Sequence, residues 1–244
     1  MARLKLCNEV SINDQETAKY HDQGYLVVEN VMSGFECQML RRLAESFADA
    51  ERSVVLNIHT KSEVFAQVMK DPTIVNLVKK VQETDITGLN SQYLFKMGGS
   101  SYGKQSWTPH QDNSYPKARK GTYIIAHLSL EDSDPGNGGL IFWPGSQEED
   151  ILPFENNKSW KENFDAKGIS HPGQTVTVPE KYIKTDMYLP KGSLCLMNGN
   201  LIHGSYPNLS PFRSRPQYSM AYLNKGEPFE RGNTATREPF YLDD

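Results

Sequence analysis

The sequence contains few cysteines and no long hydrophobic run, and both absences narrow the possible classes of protein. Its 244 residues include three cysteines, Cys7, Cys37 and Cys195, without the paired spacing of a zinc site or a disulfide framework. No stretch approaches the length of a membrane span, and the first residues carry positive charge but lack the apolar run of a secretory signal. We therefore expect a reduced protein in the cytoplasm that makes no membrane contact.

The sequence also has no large excess of positive or negative charge. The net charge is −4 and no Lys/Arg-rich block is present, which argues against a nucleic-acid partner or a polybasic membrane patch. The short basic cluster at 117–120 is interpreted as a solvated loop face. With 23% charged and 37% hydrophobic residues the composition is that of an ordinary globular protein, and the length fits one domain over residues 1–244. The expected partner is a small-molecule substrate.

The first third of the chain, residues 1–87, is predicted to be a mostly helical support. A short helix at 12–22 is followed by a brief apolar strand. From Ser33 onward apolar residues recur at spacings of three and four, which predicts a helix with one buried face. Another helix is expected where Asp71 can act as N-cap and Pro72 takes the first helical position.

The remaining two thirds are typical of a β-rich protein. Short apolar runs separated by turn residues occupy 89–97, 107–113, 122–130, 140–143, 175–178, 193–197, 201–205 and 217–223. This pattern predicts a mainly β protein with flanking helices, an α+β arrangement whose core at 88–224 is a double-stranded β-helix of the jelly-roll, cupin-like type. The polar, aperiodic segment at 148–173 is predicted to be an inserted lid, and residues 225–244 form a C-terminal tail.

An HxD tripeptide in the β-rich part of the chain suggests a metal site. In an extended strand His110 and Asp112 point to one face and Gln111 to the other. A second imidazole, His203, stands at the end of another predicted strand and would complete the two-histidine, one-carboxylate set that holds non-haem Fe(II). Alone, an HxD tripeptide is weak, because a surface histidine beside an aspartate usually does no more than hydrogen-bond. Its position between predicted strands favours the metal.

Three segments, in order, carry a resemblance to a known family. They are HQDNSY at 110–115, AHLSLEDSDPGNGGLIFWPGSQ at 126–147 and SLCLMNGNLIHGSYPNLSPFRSR at 193–215, and YHDQGYLVVENV at 20–31 also looks like the family's opening. Together they resemble the phytanoyl-CoA dioxygenase family of Fe(II)- and 2-oxoglutarate-dependent oxygenases. The resemblance implies a double-stranded β-helix in which His110, Asp112 and His203 hold iron, with 2-oxoglutarate and O2 as cosubstrates.

The resemblance also implies a site for the far carboxylate of 2-oxoglutarate. In the family an arginine holds this group, commonly with the serine two residues after the distal histidine, and Ser205 matches that serine. Where the family usually has the arginine, this chain has Ser214, flanked by Arg213 and Arg215. Arg215 is preferred because strand alternation places it on the polar, small face of the final strand, and Arg213 is the alternative.

Other candidates are less specific. Gln92 could help to orient the cosubstrate. Trp107, Asn113, Tyr115 and His127 are candidates to meet the substrate, although aromatic residues beside a strand are more often part of the core, and a satisfied core histidine is an equal alternative for His127.

The predicted function is hydroxylation of a C–H bond of a small metabolite, with release of succinate and CO2. Halogenating relatives are expected to have a small residue in place of the metal-binding carboxylate, so Asp112 favours an oxygenase. Two alternatives stay open. One is a cupin-like isomerase or hydrolase that uses the same metal triad without 2-oxoglutarate, and the other is a non-catalytic metal-binding β-helix module.

Overall fold

The fold is built on two antiparallel β-sheets. The computed structural model describes residues 6–48, 54–100, 102–157, 165–166, 168–233 and 235–242. Its helices are α1 (Asp14–Gln23), α2 (Gly34–Glu45), α3 (Glu63–Met69) and α4 (Pro72–Gln82). Its strands are β1 (Tyr25–Val28), β2 (Val54–Leu56), β3 (Ile86–Leu94), β4 (Trp107–His110), β5 (Tyr123–Ser129), β6 (Leu140–Phe142), β7 (Phe154–Asn156), β8 (Gln174–Val176), β9 (Thr185–Asp186), β10 (Leu194–Asn198), β11 (His203–Ser205) and β12 (Gln217–Asn224).

The large sheet has the strand order β1-β10-β5-β12-β3-β2, and the small sheet has the order β4-β11-β6-β9. A separate hairpin pairs β7 with β8. Two buried apolar clusters follow from this arrangement: one joins the helices to the large sheet, and the other lies between the two sheets. The predicted mainly β architecture with a jelly-roll core and a helical N-terminal part is confirmed.

Local sequence signals explain where the helices begin and end. Asn13 and Glu16 form a reciprocal capping box at the start of α1, and Gly24 ends it in the left-handed region with φ 78°. The Asp71 side chain accepts a hydrogen bond from the backbone N–H of Thr73 at 2.9 Å and so caps α4, as predicted. The short elements β2, β7, β9 and α3 are not predicted, because two to seven residues are too few to show a hydrophobic period.

Strand β12 separates the helical side of the protein from the interior between the sheets. Tyr218 and Tyr222 point toward the helices, where their hydroxyls donate to the carbonyls of Phe65 and Met69, each at 2.9 Å. The alternate residues of β12 therefore point into the space between the sheets. This is the division between a bulky and a polar face that the sequence predicts.

The cysteines are buried, and all three are unpaired. None of the helices in the described part of the chain is both long enough and apolar enough to cross a membrane.

Candidate metal centre

His110, Asp112 and His203 converge between the sheets. The small sheet pairs β4 with β11 in a register that sets His110 opposite His203. Asp112 lies just beyond the end of β4, at the first position of a 3-10 turn, so the extended geometry continues only through Gln111. Its two carboxylate oxygens are 3.4 Å from His110 Nε2 and 3.6 Å from His203 Nε2. The ligand atoms of the three residues all lie within 4.8 Å of one another.

Backbone carbonyls fix the orientation of both imidazoles. His110 Nδ1 lies 2.7 Å from the Thr108 carbonyl oxygen, and His203 Nδ1 lies 3.0 Å from that of Leu201. A carbonyl only accepts, so each Nδ1 carries a proton, and Nε2 of the neutral ring is the nitrogen left to bind a metal beside Asp112. Two imidazole nitrogens and one carboxylate in this state match the donor set of non-haem Fe(II). The residues therefore fit the metal that the sequence predicts.

Burial and charge keep the triad in its ligating form. Burial, together with the neighbouring His110, lowers the pKa of His203 to about 4, so its ring is neutral at neutral pH. Burial by itself raises the pKa of Asp112, but the imidazoles of His203 and His110 outweigh it and hold that pKa below its usual range. The site thus presents a carboxylate and a neutral imidazole without needing to release protons to a metal.

Gln111, between the first two metal-site residues, is a buried positioning residue. Its Nε2 donates to the carbonyls of Asn200 at 2.9 Å and Asp150 at 3.2 Å, and its Oε1 accepts from the backbone N–H of Leu152 at 2.8 Å. The turn before β11 and the segment after β6 are therefore both tied to the metal motif. Strand alternation predicts that Gln111 faces away from the metal, and these contacts show what it faces.

A cavity of about 390 Å³ opens beside the triad. Its volume lies at the lower end of the range for small-molecule sites. The large sheet, the small sheet and the C-terminal tail all contribute to its wall, which combines apolar and aromatic side chains with polar ones. Polar and charged lining residues include Asn90, Gln92, His110, Asp112, His127, His203, Ser205, Arg215, Gln217, Ser219, Asn233 and Arg237.

Of the two candidate arginines, only Arg215 reaches the cavity. Arg215 is 1% exposed, and its Nε donates to the Gly138 carbonyl at 3.0 Å while another guanidinium nitrogen donates to Gln217 Oε1. Burial lowers its pKa to about 10. Arg213 instead lies at the surface, where its guanidinium pairs with Asp134 at 2.5 Å. The alternative assignment to Arg213 is therefore disfavoured, because that side chain is directed outward and already has a carboxylate.

Lys96 is a buried cation beside Ser205 that sequence reasoning missed. Its Nζ donates to Ser205 Oγ at 2.8 Å and to the Gly138 carbonyl at 3.2 Å, and it also donates to the Tyr206 carbonyl. Burial and the nearby Arg215 charge hold the pKa of Lys96 well below its usual value. Gln92 and Leu94 of β3 line the cavity, but Lys96 lies beyond the end of that strand with φ 33°, so strand alternation does not identify it.

Arg215 lines the cavity as a buried cationic site, and Lys96 supports this site through Ser205. Among the described residues, neither Lys96 nor Arg215 has a carboxylate within ion-pair distance. A buried charge without a partner is unfavourable by several kcal/mol, on the order of the penalty that proteins avoid by pairing. The carboxylate of a bound dicarboxylic acid would supply the missing charge, so these residues fit 2-oxoglutarate.

The predicted substrate residues divide into two groups. Trp107, Tyr115 and His127 line the cavity, as does Gln92. Asn113 does not line it. It is 1% exposed, and its side chain donates to Ala118 and Asn200 and accepts from the Ala118 N–H at 3.0 Å. The prediction that Asn113 meets the substrate is therefore corrected, because its amide is used within the turn after the metal motif.

His127 has features of both predicted alternatives, a hydrogen-bonded core histidine and a residue of the cavity wall. Its Nδ1 is 2.8 Å from Ser219 Oγ and 2.5 Å from Gln217 Nε2, so this side of the ring is satisfied within the protein. Its Nε2 is buried and has no partner among the described residues. Burial lowers its pKa to about 3, so the ring is neutral. Because the Gln217 amide donates to Nδ1, Nε2 carries the proton and is a buried donor without a partner among the described residues.

The cavity wall also contains segments outside the core. The segment predicted as a lid includes Gly173, which lines the cavity, while its residues 158–164 and 167 lie outside the described part of the chain. The C-terminal tail contributes Gly232, Asn233, Ala235 and Arg237. No sequence signal points to the tail, because it is polar and has no hydrophobic period.

Comparison with known proteins agrees with this geometry. The sequence model of the phytanoyl-CoA dioxygenase family matches residues 20–216. The chain belongs to this family. The phytanoyl-CoA dioxygenase resemblance seen in the sequence is thereby confirmed, together with the predicted class of a non-haem oxygenase that depends on Fe(II) and 2-oxoglutarate.

Individual members of the phytanoyl-CoA dioxygenase family are similar over most of the chain. An ectoine dioxygenase of Nocardia farcinica (strain IFM 10152) is 26% identical over 228 residues, which cover 82% of this chain and 74% of that protein. Phytanoyl-CoA dioxygenase domain-containing protein 1 of Danio rerio is 26% identical over 266 residues, covering 82% of this chain and 86% of its own.

Solved structures agree at the level of the fold. The epimerase SnoN in complex with Fe3+, alpha ketoglutarate and nogalamycin RO superposes with a TM-score of 0.74 at 19% identity, covering 95% of this chain and 89% of SnoN. EctD from S. alaskensis with 2-oxoglutarate and 5-hydroxyectoine gives a TM-score of 0.71 at 18% identity, covering 99% and 90%. These neighbours include an epimerase, so the shared fold leaves the outcome of the reaction open.

Proposed function

We propose that this protein is a hydroxylase that oxidises a C–H bond of a small metabolite and converts 2-oxoglutarate to succinate and CO2. The observation that carries the proposal is one cavity that contains both a triad of metal ligands and a buried cationic site without a carboxylate among the described residues. A metal-dependent isomerase or a structural metal module has no need of the second feature.

His110, Asp112 and His203 would hold Fe(II), leaving positions open for ligands. Bound Fe(II) supplies the activation of O2, which oxidises 2-oxoglutarate and a substrate C–H bond together, one oxygen atom entering succinate and the other the product. Asp112 occupies the position where a halogenase needs room for a halide, so its carboxylate favours oxygen transfer. Gln111 keeps this motif in place through the backbone of its two neighbouring segments.

Arg215 and Ser205 would hold the far carboxylate of 2-oxoglutarate. The serine hydroxyl accepts from Lys96, so its own proton is free to be donated to a carboxylate. Arg215 already uses Nε on Gly138, which fixes the plane of the guanidinium and directs its remaining donors. Gln92 lines the same cavity and can orient the cosubstrate.

The helical N-terminal part and the β-core would work as one catalytic unit. Helices α1 to α4 bury their apolar residues in the same cluster as the outer face of the large sheet. Residues 1–87 would thus support β12 from behind, the strand that carries three cavity-lining residues. A division into separable domains would split this shared core.

Anaerobic titration with Fe(II) and 2-oxoglutarate tests the proposal. The expected result is a weak visible charge-transfer band that is absent in His110→Ala and strongly weakened in Arg215→Ala. Arg213→Ala is the matched control and should retain the band, because Arg213 is at the surface on Asp134. Absence of a band in iron-loaded wild-type protein would contradict the oxygenase.

Product analysis distinguishes hydroxylation from epimerisation, ring closure and desaturation. A hydroxylated product contains one additional oxygen atom derived from O2, whereas an epimer has unchanged mass and a ring closure or desaturation loses two hydrogens. Mass spectrometry with isotopically labelled O2 therefore tests hydroxylation directly. A product without labelled oxygen, formed together with succinate, would keep the oxygenase class and exclude the hydroxylase.

A further inference from the structure

The segment after β12 crosses one side of the cavity and is fastened at both ends. At its start, Arg119 binds both carboxylate oxygens of Glu227, its Nε lying 3.2 Å from each, and Lys117 pairs with Glu230 at 2.9 Å. Near its end, Phe240 exchanges two backbone hydrogen bonds with Gly88, of 2.7 and 3.0 Å. Between these anchors lies the tail loop, defined as residues 231–233 and 235–237. Lys117 and Arg119 of the basic cluster therefore fix the start of the tail.

Arg237 brings a cation from the tail loop into the cavity wall. It is 7% exposed, its guanidinium carbon lies 5.9 Å from the ring centroid of Tyr115, and it hydrogen-bonds the Tyr123 hydroxyl. Its Nε has no hydrogen-bond partner among the described residues. The neighbouring Arg231, by contrast, is exposed and paired with Glu238. Arg237 is therefore a buried charge with a free donor and no described carboxylate to neutralise it.

The contacts of Arg237 and Arg215 place these two arginines near different ends of strand β5. β5 is seven residues long, with Tyr123 at one end and Ser129 at the other, which corresponds to roughly 20 Å. Gln217, next to Arg215, pairs with Ser129, whereas Arg237 contacts Tyr123. The two arginines thus lie toward opposite ends of β5. A cosubstrate carboxylate held at Arg215 leaves Arg237 for the anion of a second molecule.

The metal centre lies close to the Arg237 side of the cavity. Tyr115 donates its backbone N–H to the Asp112 carbonyl at 3.2 Å, and its ring centroid lies 5.9 Å from the Arg237 guanidinium carbon. Tyr115 thus connects the metal motif with Arg237. A molecule held by Arg237 would extend along Tyr115 toward the metal. A substrate needs this orientation because its reacting C–H bond must lie near the metal.

We propose that Arg237 binds a carboxylate of the primary substrate, which is therefore a compact organic acid. This inference rests on the proposed function. A single guanidinium with one neighbouring hydroxyl suits a singly charged oxyanion, and the remaining wall near it is aromatic and apolar, as a hydrocarbon body requires. On the neighbouring surface Lys117 and Arg119 are already paired, so a multiply charged phosphate ester would find no second free cation among the described residues there.

Short-chain carboxylates serve as probes of the site while the natural substrate is unidentified. Protein loaded with Fe(II) and 2-oxoglutarate under anaerobic conditions is titrated with butyrate, isobutyrate, phenylacetate and the corresponding amides, and the change in the visible band is followed. The carboxylates are expected to bind at least about tenfold more tightly than their amides, the effect of one charge-assisted contact. Arg237→Gln should remove this preference, Arg237→Lys should retain part of it, and Arg231→Gln should leave it unchanged.

The possible failures are distinguishable. A wild-type protein that shows no band with Fe(II) and 2-oxoglutarate contradicts the proposed function itself. A normal band with equal affinity for carboxylates and amides, or with no response to any of them, overturns the assignment of Arg237 while leaving the oxygenase intact. An unchanged carboxylate preference in folded Arg237→Gln, checked by circular dichroism, also overturns it, as does stronger binding of phosphate than of any carboxylate.

Discussion

Lys96 and Arg215 donate hydrogen bonds to the same acceptor, the carbonyl oxygen of Gly138, at 3.2 and 3.0 Å. The two cations are thereby held side by side, although their charges repel. The arrangement is costly for the empty protein, because each positive charge opposes the other in a buried place. It becomes favourable when an anion enters, and several expectations follow from this relationship and from the neighbouring contacts.

Lys96→Met should weaken the binding of 2-oxoglutarate about tenfold, the effect of losing one charged contribution and the orientation of the Ser205 hydroxyl. The change is measured by anaerobic titration of the Fe(II) protein. Lys120→Met is the control, since Lys120 is a surface lysine paired with Asp150 at 3.1 Å, whereas Lys96 is buried and hydrogen-bonds Ser205. An equal effect of both substitutions would mean that the lysine acts only through net charge.

Binding of 2-oxoglutarate should be accompanied by proton uptake. Burial and Arg215 lower the pKa of Lys96 in the empty site, and a bound carboxylate raises it again. Since the bound state holds more protons, affinity should fall as pH rises above the lowered pKa. Calorimetry in two buffers of different ionisation enthalpy measures the uptake, which should vanish in Lys96→Met. Uptake that persists in the variant would assign the proton to another group.

Gln111→Leu should reduce both stability and metal affinity. It leaves three backbone groups without their partners, which should lower the free energy of unfolding by about 2–4 kcal/mol, and Fe(II) should bind about tenfold more weakly because the motif is no longer anchored. Gln147→Leu is a matched control. Gln147 is also buried and also donates to two carbonyls, those of His21 and Asp22, but it does not touch the metal motif. Denaturant unfolding and Fe(II) titration separate the two effects.

Gly173→Ala should have two effects: strain in the backbone of residue 173 and displacement of the Trp107 ring in the cavity wall. Gly173 has φ +83°, and an added Cβ would lie 2.8 Å from the Trp107 ring. Gly226→Ala is the control, with φ +86° and nothing within 4 Å. Both substitutions should lower the free energy of unfolding by about 1–2 kcal/mol, because alanine is strained in the left-handed region. Only Gly173→Ala should also change Trp107 fluorescence. Identical spectra for the two variants would show that the ring moves aside freely.

His59 should make the fold sensitive to mild acid. Burial lowers its pKa from 6.5 to about 4, so the unfolded chain binds more protons between these values. Stability should therefore fall as pH decreases from 6.5 to 4, by up to about 3 kcal/mol from this residue. His59→Asn should have a shallower decline, measured by urea unfolding of metal-free protein at several pH values. Parallel pH profiles for the two proteins would contradict this assignment.

The sequence predicts the secondary-structure elements of this fold better than it predicts the residues around the cavity. The strands carrying His110 and His203 are recognisable because apolar runs end in turn residues, and Arg215 is preferred to Arg213 because side chains alternate along β12. Lys96 lies beyond the end of β3 with φ 33°, so alternation does not reveal it, and its charge makes it resemble a surface lysine. Asn113 is predicted wrongly because its turn geometry, with Asn200 as partner, depends on a residue distant in sequence. Arg237 is not predictable, since tertiary ion pairs bring the tail loop to the cavity.

The tail loop is attached to the core at both ends, yet its described residues contribute no strand to either of the main sheets. Changes between the Glu230 and Phe240 anchors can therefore alter one wall of the cavity while the strands carrying the metal triad stay as they are. Over evolutionary time such a layout lets a lineage exchange one preferred compound for another without rebuilding its oxidation chemistry. The same property makes this short stretch a natural region to randomise when new substrate acceptance is sought by directed evolution.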